Sequence, residues 1–540
     1  MDKRDTAEVS RRGFLGLAAL ASASAVVGSA CENKPAATLE SAGPPCACGG
    51  ASQSRPSGAG KPNIVYIFSD QHRGDALGAS GNKVVQTPNL DELARRGVTF
   101  GRCYTNSPLC RPARASMMCG VLPREHGVWH NFAVPSQQAE THVRRLRDEA
   151  GYHTAVIGKT HLHEGEGDID QYRCILENFG FEDVHELPDA GQAAKIKSSW
   201  SRYLQDTTPP GELDKWKRYR RLVTTYARLF KSAPWDQAAF DDPPFSLPPE
   251  DHLDLYTGRL AAKWLADVQP SRPFYLQLCL PGPHDPFDAP GEIRALYDPR
   301  DPRLLAGTDD RPEPPYSPLV GQAIAYQDVR HMTVEQRARL RALYYAKITL
   351  VDRAVGLVTQ ALEARGLLDN TWVVYGSDHG EMCGDHGLMN KTVPYEGSWR
   401  VPLVMRPPKG CEPLRCDGLV DQLDVTTTLL SIGGLGPGKA QGRSLEGIAL
   451  YKEPCKGKDA VIGEVQGIGF VRTERHKLVL QYAAKRPLEL YDLEADPGEA
   501  KNLVEEPAQA RTIEALLARY FAAGAGAQQA RFEDQGDTGV

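Results

Sequence analysis

Short apolar runs alternate with longer amphipathic stretches from about residue 62 onward. Residues 63–68, 153–157, 274–280 and 372–375 are β-rich and apolar on both faces, as strands covered on both sides must be. Stretches 90–96, 253–266 and 340–365 instead carry apolar residues at helical spacing. This βα alternation predicts an α/β fold: a large mixed, mainly parallel sheet flanked by helices on both faces. After about residue 440 the pattern changes. Runs 461–464, 469–472, 477–480 and 488–493 read as short strands, Asp496-Pro497-Gly498 as a turn, and 508–522 as a helix. The expectation is an α/β domain over 61–440, a smaller C-terminal antiparallel sheet plus helix over 441–527, and a disordered tail over 528–540.

Composition narrows the picture little. The 540 residues are 41% hydrophobic and 24% charged, as in an ordinary globular protein, and the net charge of −6 argues against nucleic acid as a partner. The N-terminus is more telling. Ser10-Arg11-Arg12-Gly13-Phe14-Leu15 opens an alanine-rich apolar stretch that ends near Ala30, with basic residues only ahead of it. This resembles a twin-arginine signal, which implies the export machinery as a partner and a periplasmic or membrane-anchored destination. Residues 1–30 would be the signal. Gly28-Ser29-Ala30-Cys31 is a candidate lipoprotein site, with Cys31 as the lipid anchor and residues 31–60 as a flexible tether. Twelve cysteines are too sparse for a disulfide scaffold. Cys411 and Cys416 are the pair considered for a bridge after export, with structural thiols as the plainer reading.

Cys110-Arg111-Pro112-Ala113-Arg114 places a thiol, a helix-starting proline and a cation within five residues. Proline favours the first helical position, so a helix is expected over 112–119, with Gly120 as its stop. Cys110 would then precede the helix, near its unsatisfied amides, with Arg114 one turn inside. A second signal is positional, because ligands of open α/β sheets bind beyond the carboxyl ends of the strands. The four predicted strands run into Asp70-Gln71, into Lys159 and His161, into His284, and into Asp378-His379. Oxygen ligands with one imidazole suit Ca²⁺, Mg²⁺ or Mn²⁺.

The pentapeptide with the run to Gly120 resembles the signature Cys-x-Pro-x-Arg of the sulfatase family, whose cysteine is oxidised to formylglycine. The resemblance extends from about residue 62 to 503. Gly151-Tyr152-His153-Thr154 through Gly158-Lys159-Thr160-His161-Leu162, Leu368-Asp369-Asn370-Thr371 through Asp378-His379-Gly380-Glu381, Lys391 through Pro402, and Leu490-Tyr491-Asp492-Leu493 through Asn502-Leu503 are each similar to a family segment. It implies an alkaline-phosphatase-like fold and hydrolysis of sulfate esters. One divalent ion, Ca²⁺ before Mn²⁺ or Mg²⁺, would be held by Asp70, Gln71, Asp378, His379 and oxidised Cys110. Many family members carry a second Asp where Gln71 stands. Arg114 and Lys159 would position nucleophile and sulfate, His161 would assist the formylglycine hydrate, Lys391 would grip the sulfate, and His284 would protonate the leaving alkoxide. One hydroxyl of the hydrate would attack sulfur and expel the alcohol. Loss of a proton from the second would release sulfate and restore the aldehyde.

The partners implied are a sulfated small molecule or glycan and the formylglycine-generating enzyme. A phosphonate monoester or phosphodiester hydrolase of the same superfamily is the nearest rival, and an inactive anion-binding lipoprotein is the rival of another class. The segment 215–231 combines four aromatic residues with seven Lys or Arg. Such a patch can bind anionic polymers, but a helix packing its aromatic stripe on the body is the commoner case.

Overall fold

The computed structural model describes residues 60–231, 245, 247–269, 271–305 and 314–523. The export signal, Cys31, the tether up to residue 59 and the tail at 528–540 lie outside the described residues.

Nine strands form the main sheet: β1 (Asn63–Asp70), β2 (Val98–Tyr104), β3 (His153–Gly158), β4 (Asp183–Glu186), β5 (Phe274–Pro283), β6 (Thr371–Ser377), β7 (Arg400–Val401), β8 (Leu403–Arg406) and β9 (Leu414–Asp421). Their order is β4-β3-β5-β1-β6-β8-β2-β7, with β9 also paired to β2. β1 lies at the centre, parallel to β5 and β6, with Ile67 opposite Leu278 on one side and Tyr375 on the other. β3 pairs parallel with β5 and with β4. β8 runs antiparallel to β6 and β2, so the sheet is mixed.

Every residue of β1 is buried, and strand alternation divides them between two cores. Val65 and Ile67 pack with Val351, Val355 and Val358 of the long helix Val334–Ala364. Ile64, Tyr66 and Phe68 face the other side, with Met117, Val143 and Leu429. Because β1, β3, β5 and β6 are parallel, their carboxyl ends share one edge of the sheet.

The second sheet is antiparallel, in the order β10 (Val461–Val465), β11 (Ile468–Arg472), β12 (His476–Gln481), β13 (Arg486–Asp492), followed by the helix Ala510–Ala522. Gln466 and Gly467 join β10 to β11 with φ values of 49° and 76°, the positive pair that a tight hairpin needs. Trp399 packs on Phe470 with ring centroids 5.5 Å apart, and both belong to a core shared with Tyr104 and Val461.

Two expectations are corrected. The bridge is Cys416–Cys455, with Cα atoms 5.5 Å apart, while Cys411 stays a thiol. Cys416 lies on β9, where segment 455–458 folds beside it and Lys458 N donates to Leu419 O at 2.7 Å. Local spacing could not disclose that approach. The helix expected over 112–119 spans Cys110–Cys119, and Ala113 N donates to Leu109 O at 3.0 Å. Pro112 falls third, where its missing N–H is still one of the four without an intrahelical acceptor. The helix Lys215–Lys231 follows the commoner of its two readings where its side chains are described. Trp216, Tyr219 and Val223 are buried with Trp200 and Leu204, and Tyr219 OH donates to Ala190 O at 2.8 Å. Lys217, Arg220 and Arg221 are left exposed.

Candidate active site

All ten sequence-predicted residues meet in one cluster at the shared strand edge. Asp70 ends β1, Lys159 and His161 follow β3, His284 follows β5, and Asp378 and His379 follow β6. Cys110 opens the helix Cys110–Cys119, and Arg114 lies one turn along it. Lys391 comes from the loop between β6 and β7. Gln71 and His161 hold positive φ, 75° and 56°. Non-glycine residues rarely adopt that conformation, and here it turns both chains sharply at the strand edge.

Asp70, Cys110, Asp378 and His379 are buried, and one ligand atom from each lies within 4.8 Å of all the others. His379 Nε2 is 3.0 Å from Cys110 Sγ, 3.7 Å from Asp70 Oδ1 and 3.8 Å from Asp378 Oδ1. Its Nδ1 is 2.9 Å from Gly380 O, an acceptor only, which assigns the ring proton to Nδ1 and turns the Nε2 lone pair inward. Two carboxylate oxygens, an imidazole nitrogen and the atom at position 110 thus converge on a space of ionic size. That donor set fits a divalent cation.

Arg114 ties the two carboxylates together. Its Nη2 donates to Asp70 and its Nε to Asp378, each at 2.9 Å, and its Nη1 donates to Lys159 O. With its guanidinium committed in this way, Arg114 acts on the pocket through the carboxylates and its field. Lys159 donates to Asp70 and stands 3.8 Å from Asp189. Lys391 donates to Gln71 Oε1 and lies 2.8 Å from His284 Nε2. Gln71 Nε2 donates to Glu381, and its backbone N–H donates to Asp378 Oδ1 at 3.0 Å.

The charges act on the titrating groups as this geometry requires. Burial pushes the Cys110 thiol up, but Lys391, His379 and Lys159 outweigh it and hold the group well below its ordinary range. A negative oxygen at this position would meet the same field. Burial and Lys391 push His284 down, while Asp285, Asp70 and Cys110 raise it further, to about 9. The 2.8 Å approach of Lys391 Nζ to His284 Nε2 has room for one proton between the two nitrogens. His284 Nδ1 faces Asp285, 2.8 Å from its carbonyl oxygen and 3.1 Å from Oδ1.

Three acidic residues of the site escaped the sequence reading. Glu381 is fully buried and fixes the Gln71 amide, Asp189 faces Lys159, and Asp285 faces His284. Glu381 closes a segment that was recognised, without a role of its own, and Asp285 directly follows His284. Asp189 follows β4, a strand too short to register as an apolar run.

The family described as "Sulfatase" matches residues 62–435, and "N-sulphoglucosamine sulphohydrolase, C-terminal" matches residues 384–523. The chain is 29% identical to an arylsulfatase of Clostridium perfringens (strain 13 / Type A), over 84% of this chain and 93% of that one. It is 31% identical to a choline-sulfatase of Rhizobium meliloti (strain 1021), over 83% of each. Among solved structures, a phosphonate monoester hydrolase from Silicibacter pomeroyi superposes with a TM-score of 0.69 at 24% identity, covering 87% of this chain and 96% of that one.

Proposed function

The chain belongs to the sulfatase family, and on that footing we propose that it hydrolyses sulfuric esters with a formylglycine made from Cys110 and a divalent ion held by Asp70, Gln71, Asp378, His379 and residue 110. The observation that carries this reading is the buried donor set within 4.8 Å, with Cys110 Sγ marking where the oxygens of the oxidised side chain would stand. When present, the ion supplies Lewis-acid polarisation and the aldehyde hydrate supplies an oxygen nucleophile.

The chain's own side chains do the remaining work. Lys159 and Lys391 flank the nucleophile position and offer N–H donors to sulfuryl oxygens, whose charge the pocket accommodates without reorganisation. Arg114 keeps the two carboxylates at a fixed separation. His161 lies within hydrogen-bond reach of position 110 and can take its proton. His284, held at Nδ1 by Asp285, presents Nε2 as the donor to the departing alkoxide, with Lys391 beside it to share that proton. The ester is that of a small molecule or a glycan. The names of the two relatives point to different alcohols, so the reacting group is assigned and the alcohol is left open.

A second reading, phosphonate monoester hydrolysis, is supported by the likeness in fold to a phosphonate monoester hydrolase. Such an ester carries the same single negative charge as a sulfate monoester, so the same cations would hold it. Purified protein with Cys110 converted is expected to cleave an aryl sulfate faster than an aryl phosphonate monoester, and Cys110→Ala to cleave neither. Faster phosphonate cleavage would replace the first reading with the second. Peptide mass analysis that finds Cys110 as an unmodified thiol in fully active protein would sink both.

A further inference from the structure

A cluster of buried charges lies outside the pocket, just behind His284. Asp254, His252, Lys347 and Asp288 are each at most 6% exposed. Asp254 sits in the first turn of the helix Leu253–Asp267, and Lys347 lies on the helix Val334–Ala364. Lys347 Nζ donates to Asp288 Oδ1 at 2.9 Å and lies 3.3 Å from Asp254 Oδ2. His252 Nδ1 accepts from Asp254 N at 3.2 Å, so its Nε2 carries the proton that meets Asp288 Oδ1, also at 3.2 Å.

Both ends of one short segment are fastened to this cluster. Gly282 N donates to Asp254 Oδ1 at 2.6 Å, and Asp288 supplies one of the carboxylates. His284 stands between them. Among the described residues, no hydrogen bond or ion pair joins it to these four, and its own side-chain partners are Asp285, Lys391 and Cys110. Gly282 is a close approach as well, since a Cβ there would fall 2.6 Å from Asp254 Oδ2.

Stability is a poor reason for such a cluster. Desolvating two carboxylates and one ammonium is costly, and well-packed apolar residues in the same place are often as stable or more so. What the charges supply is directionality: a backbone N–H and a side chain, six residues apart, are held against two helices that cannot shift without breaking the core. We propose that Asp254 and Lys347 are positioning residues that set the His284 ring against the leaving-group oxygen. The proposal rests on the reading of His284 as the proton donor to that oxygen. A ring displaced by about 1 Å can lose some hundredfold in rate, and only where proton donation limits the reaction.

The test is the rate of sulfate release across aryl sulfates whose phenols range from strongly to weakly acidic, for wild type, Asp254→Asn, Lys347→Met and His284→Ala. Asp254→Asn and Lys347→Met are expected to leave the nitrophenyl ester almost unchanged and to slow the unactivated phenyl ester by about 10- to 100-fold, steepening the dependence on leaving-group acidity. In the His284→Ala background, Asp254→Asn should steepen it no further. Gly282→Ala keeps every charge but crowds Asp254, and it should reproduce the effect if the charge variants do not fold. Uniform slowing of all esters, or a steepening that persists without His284, overturns the positioning role. If His284→Ala itself leaves the slope unchanged, the acid assignment fails, and the positioning role falls with it. If His284→Ala steepens the slope while Asp254→Asn, Lys347→Met and Gly282→Ala do not, only the positioning role is lost.

Discussion

Arg114 has the most concentrated task of any single residue. It is 2% exposed, lies with Cζ 5.0 Å from the centre of the Phe68 ring, and bridges two carboxylates that would otherwise repel each other. Lysine keeps the charge but has a single nitrogen, which cannot reach Asp70 and Asp378 in the same fork geometry. Arg114→Lys is therefore expected to lose about 10- to 100-fold in kcat/KM with a modest fall in Tm. Arg114→Met removes the guanidinium from Asp378 and leaves Asp70 with Lys159 alone, and removing one partner of a buried ion pair costs about 3–5 kcal/mol. Thermal melts and steady-state kinetics on the two variants check the order: Met should be worse than Lys in both. Equal Tm for Met and wild type would mean that the guanidinium does not hold the carboxylates. Proline at the helix start and arginine one turn later were legible as a pair. That Arg114 faces inward toward carboxylates from β1 and β6, rather than outward toward a ligand, was not, because both partners are remote in sequence.

The helix Cys110–Cys119 is braced by two buried histidines, His126 and His142, and a third, His72, lies just past the end of β1. His126 Nε2 meets Ser116 Oγ at 2.9 Å, while its Nδ1 accepts from Val128 N at 3.1 Å. His142 Nδ1 donates to Met118 O at 3.2 Å, and its Nε2 lies 2.8 Å from Tyr275 OH. His72 Nε2 donates to Ala76 O at 2.7 Å, with Nδ1 toward Tyr375 OH, also at 2.7 Å. Burial lowers all three, to about 3 for His126 and to about 4 for His142 and His72. A pKa lowered on folding adds stability that is full above the unfolded value of 6.5 and is lost as pH falls toward 4. Near pH 5 the unfolded chain binds three more protons at these sites, so stability should fall by about 4 kcal/mol per pH unit from them together. Denaturant midpoints between pH 7 and pH 5 measure that slope, and His142→Gln should reduce it by about one third. An unchanged slope in that variant would contradict a neutral, buried His142. At this scale the sequence spoke clearly for β1, β3, β5 and β6. It was silent on β2 and β9, whose apolar pattern is interrupted by Gly101, Arg102 and Asp417, and on β8, which is only four residues long; pairing with neighbours makes all three strands.

Across the whole molecule, the C-terminal sheet is locked to the catalytic portion by polar contacts as well as apolar ones. Lys477 of β12 pairs with Glu499, and Glu396 N donates to Glu499 Oε2 at 2.8 Å. Two segments recognised separately, around residue 396 and around residue 499, are thus halves of one joint. The Cys416–Cys455 bridge fastens β9, which pairs with β2, to the segment that leads into the C-terminal sheet, across 39 residues. A closed loop of this length is worth about 2–4 kcal/mol. Cys455→Ser, or reduction of the native protein, should lower Tm by several degrees while leaving kcat at 25 °C unchanged, because the pocket draws on neither cysteine. A loss of kcat as large as the loss of stability would show the joint reaching into the site.

The sequence alone established the fold class through its apolar runs and marked the edge of the candidate site through the polar residues that end them. A strand buried on both faces must be apolar along its length, so its first polar residue marks the sheet edge where ligands bind. Only the tertiary structure decided how those residues divide the work. It committed Arg114 to the carboxylates, gave Gln71 to Lys391 and Glu381, paired Cys416 with Cys455, and hung the His284 segment on a buried charge cluster. Each of those outcomes depends on distances between side chains far apart in the chain, and one-dimensional periodicity carries no such distances.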